Sequence, residues 1–353
     1  MVDKSLSRLI KTEGKPFIIA EMSGNHNQSL DLALKIVDAA AGAGVDALKI
    51  QTYTADTMTI DVNRPGFTIK DHQSLWNGRK LYDLYQEAYT PWEWHKPIFE
   101  RCKKHGIIGF STPFDESAVD FLEALHVPCY KVASFELIDI PLIKRIAATG
   151  KPIIMSTGMA TVEEIEEAMA AARSAGNRQI ILLKCTSSYP ASPDNSNLLT
   201  LPDMAMKFKC LVGISDHSLG IGVALTGIAL GAAVVEKHFT LKRSDGGVDS
   251  AFSMEPKEMA QLVQEAGRAW QSLGKVFYGP TEQEKKSLIF RRSLYIVKDI
   301  KKGDKITNEN VRSIRPGFGL PPKEIDRLLG KKVGKYLKKG TPLRWEDIDG
   351  KKK

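Results

Sequence analysis

Short apolar runs alternate with amphipathic segments along most of this chain. Residues 212–240 show the pattern best, because two apolar runs flank a stretch of small apolar residues, as in a strand–helix–strand unit. Earlier strands are predicted on the same grounds, at residues 16–20, 46–51, 107–112, 129–132, 152–156 and 180–185. With two more strands from 212–240, the repeat predicts a (β/α)8 TIM barrel. A doubly wound sheet shares the alternation, but residues 21–26 lack its Gly-x-Gly-x-x-Gly turn.

Helix signals and one long connection lie between the predicted strands. Thr161 followed by Glu164 is a capping box, which predicts that a helix begins there. Further helices are predicted over residues 91–104 and 256–273. Residues 52–80 form a long polar loop, and unstructured loops of this length are unusual and often functional.

The composition changes after residue 280. Short β-like pieces joined by Gly, Pro and Lys turns follow, at residues 291–300, 306, 311–314 and 340–343. They predict a small second domain that is rich in β structure. The expected division is a barrel domain at 1–280, a linker at 281–289 and the second domain at 290–353.

The positive charge of the chain is concentrated in this second domain. Residues 290–353 contain 19 Lys and Arg against 8 Asp and Glu, a balance of +11, whereas the whole chain carries only +8. Such a segment could bind nucleic acid, form a solvated surface or cover an anionic substrate. No aromatic–basic interleaving or nucleic-acid motif is present, so no nucleic-acid partner is expected.

The remaining composition is that of a globular protein outside the membrane. The 353 residues are 42% hydrophobic and 26% charged, and no apolar run approaches the roughly 18 residues of a membrane span. The N-terminus lacks the apolar core of a signal peptide. The four cysteines have neither metal nor disulfide spacing and are interpreted as buried thiols in a reducing cytoplasm, at positions Cys102, Cys129, Cys185 and Cys210.

Polar side chains stand where the predicted strands end. Barrel enzymes build their active sites at the C-terminal ends of the strands, and an unpaired buried charge is costly, so these residues predict a site. The candidates at or just after the strand ends are Glu21, Lys49, Gln51, Thr112, Lys131, Ser134, Glu136, Ser156, Ser187, Tyr189, Ser215, His217 and His238.

The residue types at these ends indicate a chemistry. His217 and His238 follow consecutive parallel strands, so their imidazoles should meet and could hold a divalent metal that polarises a carbonyl. Lys49 and Lys131, with neighbouring hydroxyls, suit a phosphate and a carboxylate. Glu21, like Glu136, could move protons or hold a hydroxylated substrate.

Eight ordered motifs resemble the N-acetylneuraminate (sialic acid) synthase family. They lie at residues 18–26, 47–52, 111–115, 130–136, 156–160, 185–190, 213–218 and 236–240. The segments 291–295 and 314–317 resemble the antifreeze-like (SAF) domain that ends such chains. Within the family, residues 51–59, 81–85 and 90–94 are most similar to the pseudaminic acid synthase branch.

The resemblance implies a condensation of phosphoenolpyruvate with 2,4-diacetamido-2,4,6-trideoxy-L-altrose, in which phosphate leaves by C–O cleavage. His217 and His238 would hold a divalent ion, Mn²⁺ first and Mg²⁺ or Co²⁺ as alternatives. The phosphoenolpyruvate ligands would be Lys49, Thr112, Lys131, Ser134, Ser156, Ser187 and Ser215. The sugar or water would meet Glu21, Gln51, Glu136, Tyr189 and Asp249, with residues 52–80 and Phe252 lining the sugar part. Ser187 departs from the sialic acid synthases, which have Asn there.

The resemblance also implies an assembly. Arg315 matches an arginine that the family's C-terminal domain inserts into the barrel of a partner subunit, which implies a domain-swapped homodimer. Other functions remain open on the residues alone. A Schiff-base aldolase could use Lys131 or Lys184, and a non-catalytic sugar or nucleic-acid binder could use the basic end. Sialic and legionaminic acid synthases share the chemistry and differ in the sugar.

Overall fold

A computed structural model describes residues 14–72 and 74–350 of the chain, which divides into two compact units after Gly274. In the first unit, eight parallel strands pair in sequence order and close into a barrel, because β1 also pairs with β8. The predicted (β/α)8 barrel is confirmed. The strands are β1 Phe17–Glu21, β2 Ala47–Thr52, β3 Ile108–Pro113, β4 Tyr130–Val132, β5 Ile153–Ser156, β6 Ile180–Cys185, β7 Leu211–Ser215 and β8 Val234–His238.

Helices lie between and after the strands. They are α1 Leu30–Ala43, α2 Ala55–Met58, α3 Leu81–Ala88, α4 His95–Lys104, α5 Glu116–Ala124, α6 Ile140–Ala147, α7 Val162–Ser174, α8 Thr200–Phe208, α9 Gly222–Ala229 and α10 Pro256–Leu273. Two of them, α2 and α3, belong to the connection after β2. The capping box of Thr161 and Glu164 is present at the start of α7. The helix predicted over 91–104 begins later, at His95, because residues 92–94 form a tighter 3₁₀ turn.

Strand alternation explains how the barrel interior is filled. Successive side chains of a strand point to opposite faces, so every second residue points into the barrel. In β1, Phe17 and Ile19 belong to the apolar cluster that also contains Phe110 and Ile154, whereas Ile18 packs in a different cluster with helix residues. The next inward position of β1 is Glu21. The apolar filling therefore stops one layer below the C-terminal mouth, and a polar layer follows.

The connection after β2 is an ordered substructure. It contains α2, an isolated antiparallel bridge between Thr68 and Lys80, and α3. Ile69 donates its N–H to the Arg79 carbonyl, which closes this small hairpin. The prediction of an unstructured loop at 52–80 is wrong in this respect, because the turns in this segment satisfy its backbone groups locally.

The second unit is a small β-rich body. Strands β9 Ser293–Ile296 and β10 Val311–Ile314 pair antiparallel, and the short helices α11 Glu282–Lys285 and α12 Ile325–Leu328 accompany them. The β-like piece predicted at 340–343 forms only an isolated bridge, between Tyr295 and Pro342. The core of the second unit contains Leu294, Ile296, Ile300, Ile306, Val311, Leu328, Val333, Leu337, Leu343 and Ile348.

The four cysteines are free thiols. Cys102, Cys129 and Cys185 are buried as predicted, but Cys210 is only half-buried because it lies in the turn before β7. In residues 14–72 and 74–350, no helix combines the length and the apolar character needed to cross a membrane.

Candidate active site

A charged layer lies at the first polar level of the barrel. Lys49 Nζ is 2.8 Å from Glu21 Oε2 and 3.7 Å from Glu236 Oε1, and it donates a hydrogen bond to Thr112 Oγ1 at 3.0 Å. Burial opposes a charged amine here, but attraction to the two carboxylates outweighs it, so the pKa of Lys49 is raised. The predicted residues Glu21, Lys49 and Thr112 are thus brought together.

Lys131 continues this layer on the other side of Glu236. Its Nζ lies 3.8 Å from Glu236 Oε1 and donates to Ser156 Oγ at 2.7 Å, while Ser215 Oγ donates to the same glutamate oxygen at 3.4 Å. Burial lowers the pKa of Lys131, whereas the two lysines hold the pKa of Glu236 below its usual value despite its burial. Glu21 and Glu236 thus share one buried layer with the two amines of Lys49 and Lys131.

Two serines form a small polar cradle beside this layer. Ser134 Oγ and Ser187 Oγ are 2.8 Å apart. The backbone of Gly158, in the turn after β5, has a φ of +50°, and a Cβ there would lie 2.4 Å from Ser134 Cβ and 2.8 Å from Ser187 Oγ. Only glycine both adopts this conformation easily and leaves the space free. The Ser-Thr-Gly motif therefore brings a backbone turn close to two hydroxyls.

The two histidines meet as predicted from the pairing of β7 and β8. Their ring centroids are 5.3 Å apart with an interplanar angle of 68°, and both side chains are buried. His238 ends β8, but His217 lies two residues beyond the last residue of β7, so the prediction that both histidines end their strands holds only for His238. The two imidazoles nevertheless lie side by side, because β7 and β8 are hydrogen-bonded neighbours.

The ring nitrogens of this pair suit a metal ion. His217 Nδ1 donates to the Thr186 carbonyl at 2.9 Å, which leaves Nε2 available as a ligand. Burial opposes a charged His217, but Cys185 and the Thr186 carbonyl raise its pKa, so metal binding would release a proton. Burial and the nearby charge of His217 hold the pKa of His238 well below its usual value, and its ring is neutral.

The rest of the ligand set would not come from the protein. Among residues 14–72 and 74–350, no group of three or more His, Cys, Asp or Glu side chains is arranged to hold a metal. Asp249 Oδ2 lies 3.7 Å from His238 Nδ1, too far for a hydrogen bond, and in the described residues this buried nitrogen has no hydrogen-bond partner. Two imidazoles with open coordination positions fit an ion whose other ligands are substrate or water oxygens.

A cavity of about 640 Å³ opens beside His238. The predicted residues Gln51, Ser134, Glu136, Ser187, Tyr189, His238 and Asp249 line it. Gln51 Nε2 donates to Glu21 Oε1 at 3.0 Å, which connects the cavity to the charged layer. The Tyr189 ring stacks on His217 with a centroid distance of 4.4 Å.

Glu136 is the ionisable group of this cavity that titrates near neutrality. Burial raises its pKa to about 7. In the described part of the chain its Oε2 is buried without a hydrogen-bond partner. A carboxyl with such a pKa is about half protonated at neutral pH, and its protonated form can donate a hydrogen bond or a proton to a bound ligand.

Some residues of the site were not selected from the sequence. Glu236 bridges both lysines, and strand alternation could have indicated it, because it lies two residues before His238 on the same strand face. Ser23 donates a hydrogen bond to Asp249 and accepts one from Gln51 Nε2 at 3.2 Å. Trp76 lines the cavity and donates to the Val248 carbonyl at 3.0 Å, a contact without any local sequence signal.

Two predicted features remain outside this geometry. Phe252 is buried with its ring 4.9 Å from that of His238, so it supports the histidine from behind the cavity lining. Arg315 lies in the second unit, directly after β10, and its role stays a prediction.

The model of the NeuB family matches residues 36–278, and the SAF domain model matches residues 291–349. The chain belongs to the NeuB family. The family resemblance inferred from the eight motifs is therefore confirmed, and so is the C-terminal SAF domain. Members of this family are phosphoenolpyruvate-dependent condensing enzymes, so the chain is a transferase of this type.

Similar proteins carry related names. The pseudaminic acid synthase of Campylobacter jejuni is 45% identical over 337 residues, which cover 96% of this chain and 98% of that enzyme. The N,N'-diacetyllegionaminic acid synthase of Legionella pneumophila is 37% identical and covers 94% of both chains. A crystal structure of the N-acetylneuraminic acid (sialic acid) synthetase of Leptospira borgpetersenii, in complex with citrate, matches with a TM-score of 0.70 and 33% identity, over 78% of this chain and 90% of that one.

Proposed function

We propose that this NeuB family protein is a pseudaminic acid synthase. It condenses phosphoenolpyruvate with 2,4-diacetamido-2,4,6-trideoxy-L-altrose to give pseudaminic acid and phosphate. The observation that carries the proposal is a two-lysine layer and a histidine pair at the same end of one barrel, in a chain 45% identical to a pseudaminic acid synthase. An anion and a carbonyl compound can then be held side by side.

The reaction balances with one water molecule. The C3 atom of phosphoenolpyruvate forms a bond to the aldehyde carbon of the sugar, and the aldehyde oxygen takes up a proton. Water supplies an oxygen to C2, and the bond from C2 to the phosphate oxygen breaks, which releases inorganic phosphate. Three carbons and six carbons give a nine-carbon 2-keto acid. The protein has to bind one anion, orient one aldehyde and move protons at two oxygens.

The charged layer would bind phosphoenolpyruvate. Lys49 and Lys131 offer the positive charge that its phosphate and carboxylate require, and their shared carboxylate keeps both amines in place. Neutral donors surround them, namely Thr112, Ser134, Ser156, Ser187 and Ser215. The close turn at Gly158 leaves room for an anion between the two serines. Ser187 keeps a hydroxyl donor where related synthases use an amide.

His217 and His238 would hold a divalent metal, with Mn²⁺ expected first and Mg²⁺ or Co²⁺ as alternatives. When bound, such an ion polarises the sugar aldehyde and lowers the pKa of a bound water. The Thr186 carbonyl would keep the His217 ring in its orientation, and Asp249 would contact sugar or water in the cavity. Protonated Glu136 would donate to the sugar oxygen, while Glu21, Gln51 and Tyr189 would contact sugar or water.

The assembly is part of the proposal. The second unit would cover the barrel of a partner subunit in a homodimer, and Arg315 would bring its charge to the bound anion. The +11 balance of residues 290–353 supports such a cover, because cations placed over an anionic site attract the substrate. The reaction is expected in the cytoplasm, as predicted from the sequence.

A product assay tests the activity. The purified full-length protein, with Mn²⁺ and phosphoenolpyruvate, is given a panel of acetamido sugars, and phosphate release and product mass are measured. We expect the altrose derivative to be turned over fastest. Because the C–O bond breaks, the oxygen that joins C2 to phosphorus in phosphoenolpyruvate should appear in the released phosphate. Faster turnover of the mannose or legionaminic precursors would assign the protein to the sialic or legionaminic acid synthases, to which it is also related. Activity that survives complete metal removal, with a borohydride-trapped adduct on Lys131 or Lys184, would instead indicate a Schiff-base aldolase.

A further inference from the structure

One segment supplies an apolar wall to the active-site cavity. Helix α3 places Leu81, Leu84, Tyr85 and Ala88 in the cavity lining. Their spacing of three, four and seven residues is that of a single helix face. This face therefore borders the cavity, whereas Gln86 on the same helix is exposed to solvent.

Two further apolar side chains extend the wall. Met58 at the end of α2 and Ile69 in the small hairpin also line the cavity. Leu81, Met58 and Ile69 are half-buried, and Leu84 is buried. Since apolar surface facing water is unfavourable, a ligand that covers this wall with an apolar group gains affinity.

The wall and His238 lie in the lining of the same cavity. The strand ends contribute polar side chains, with Gln51 and His238, whereas the connection after β2 contributes the apolar Met58 and Ile69 together with two polar side chains, Asp71 and Ser74. A sugar aldehyde has to lie at the polar part to react. In an open-chain hexose, C6 is the carbon farthest from the aldehyde. With the aldehyde at the polar part of the lining, C6 is therefore the position expected to reach the connection after β2.

We propose that Met58, Ile69, Leu81 and Leu84 are specificity residues that receive the methyl group at C6 of the sugar. A hydroxyl at C6 would lose its water partners against this wall, because none of the four side chains can form a hydrogen bond with it. The inference rests on the proposed function, and it names the feature of the sugar that is selected, namely the absence of oxygen at C6.

The expected discrimination is moderate. A hydrophobic pocket rejects an added hydroxyl group by about 10- to 100-fold in kcat/KM, less than a polar site rejects a missing one. Two substrates measure it: 2,4-diacetamido-2,4,6-trideoxy-L-altrose and its 6-hydroxy counterpart, 2,4-diacetamido-2,4-dideoxy-L-altrose. The assay uses the full-length protein with Mn²⁺ and saturating phosphoenolpyruvate, and the quantity compared is the ratio of the two kcat/KM values.

A matched pair of variants isolates the polarity of the wall. Ile69→Val and Ile69→Thr have nearly the same shape, but only threonine offers a hydrogen-bonding group. We expect Ile69→Val to keep the preference for the 6-deoxy sugar and Ile69→Thr to reduce it by about fivefold or more. Met58→Gln should shift the ratio in the same direction, and Gln86→Ala, on the exposed side of α3, should leave it unchanged.

The outcomes separate this inference from the proposed function. A wild-type ratio near one, or an unchanged ratio in both Ile69→Thr and Met58→Gln, overturns the specificity wall while the synthase activity stands. If the wild-type protein releases no phosphate with any acetamido sugar, the proposed function fails and this inference fails with it. A ratio that falls equally in Ile69→Val and Ile69→Thr also overturns it, because shape and not polarity would then select the sugar.

Discussion

At the scale of single residues, environment decides what each side chain can do. Three lysines are almost fully buried, yet their surroundings differ. Lys49 and Lys131 point into the barrel and share Glu236, at the level of the proposed anion site. Lys237 points the other way and pairs with Asp216. Identical side chains thus face the proposed site or support local structure according to the strand face that carries them.

The histidine pair gives the first prediction. Replacing His217 or His238 by Ala should weaken Mn²⁺ binding by at least about 100-fold, since even residues that only orient metal ligands contribute 10- to 100-fold. Turnover should be nearly abolished. Calorimetric titration with Mn²⁺ in the presence of phosphoenolpyruvate measures the affinity. His105→Gln, at an exposed residue that pairs with Asp38, serves as the control. Unchanged Mn²⁺ affinity in either Ala variant would contradict a shared metal.

Glu136 gives the second prediction, which concerns pH. Burial raises its pKa to about 7, so the protonated carboxyl predominates below pH 7 and is lost as the pH rises through that value. If this proton goes to the sugar oxygen, kcat/KM should fall above about pH 7. Glu136→Gln should lower kcat/KM by about 100-fold or more and remove this limb of the profile. The control Glu166→Gln, at an exposed residue of α7, should keep the wild-type pH profile. If the fall above pH 7 persists in Glu136→Gln, another group causes it.

At the scale of elements, the ends of β7 and β8 are locked to each other. Lys237 Nζ donates to Asp216 Oδ2 at 2.9 Å and to the carbonyls of Ser218 and Gly220 at 2.7 and 3.0 Å. Asp216 directly precedes His217, and Lys237 directly precedes His238. The ion pair therefore fixes the loop and the strand that carry both imidazoles, although neither partner faces the cavity.

The third prediction tests this lock. Lys237→Met leaves the buried Asp216 carboxylate without its cation, and breaking a buried pair in this way costs about 3–5 kcal/mol in the free energy of unfolding. Mn²⁺ affinity should also fall, since His238 loses its support. Urea unfolding and Mn²⁺ titration measure the two effects. The double variant Asp216→Asn with Lys237→Met should lose less stability than the sum of the single changes. Additive losses would show that the pair does not act as a unit.

At the scale of the whole molecule, one chain combines a catalytic barrel with a basic SAF domain. The barrel contributes the charged layer, the histidine pair and the cavity. Residues 290–353, which contain the SAF domain, carry a net charge of +11, compared with +8 for the whole chain. In the proposed homodimer, this charge would act on the partner's barrel.

The fourth prediction concerns the proposed action of Arg315 on the barrel of the partner subunit. Arg315→Ala should lower kcat/KM for phosphoenolpyruvate by about 10- to 100-fold, because a charged contact to the anion is lost, while the circular dichroism of the barrel stays unchanged. Mixing Arg315→Ala with His238→Ala under conditions of subunit exchange should restore about a quarter of wild-type activity. Half of the dimers are then mixed, and each mixed dimer contains one intact site. If the mixture shows no restored activity although labelled subunits demonstrate exchange, Arg315 does not act on the partner's barrel.

The sequence by itself determined the barrel, the location of the site and the meeting of the histidines. These features depend on local periodicity: alternation sets which residues point inward, and parallel neighbours bring their C-terminal ends together. Glu21, Lys49, Lys131 and His238 could therefore be selected without coordinates. Only the tertiary structure decided that Glu236 is shared by two lysines, that Lys237 locks Asp216 and that one face of α3 borders the cavity. Those contacts join side chains from different strands and loops, and their distances depend on three-dimensional packing that no local pattern encodes.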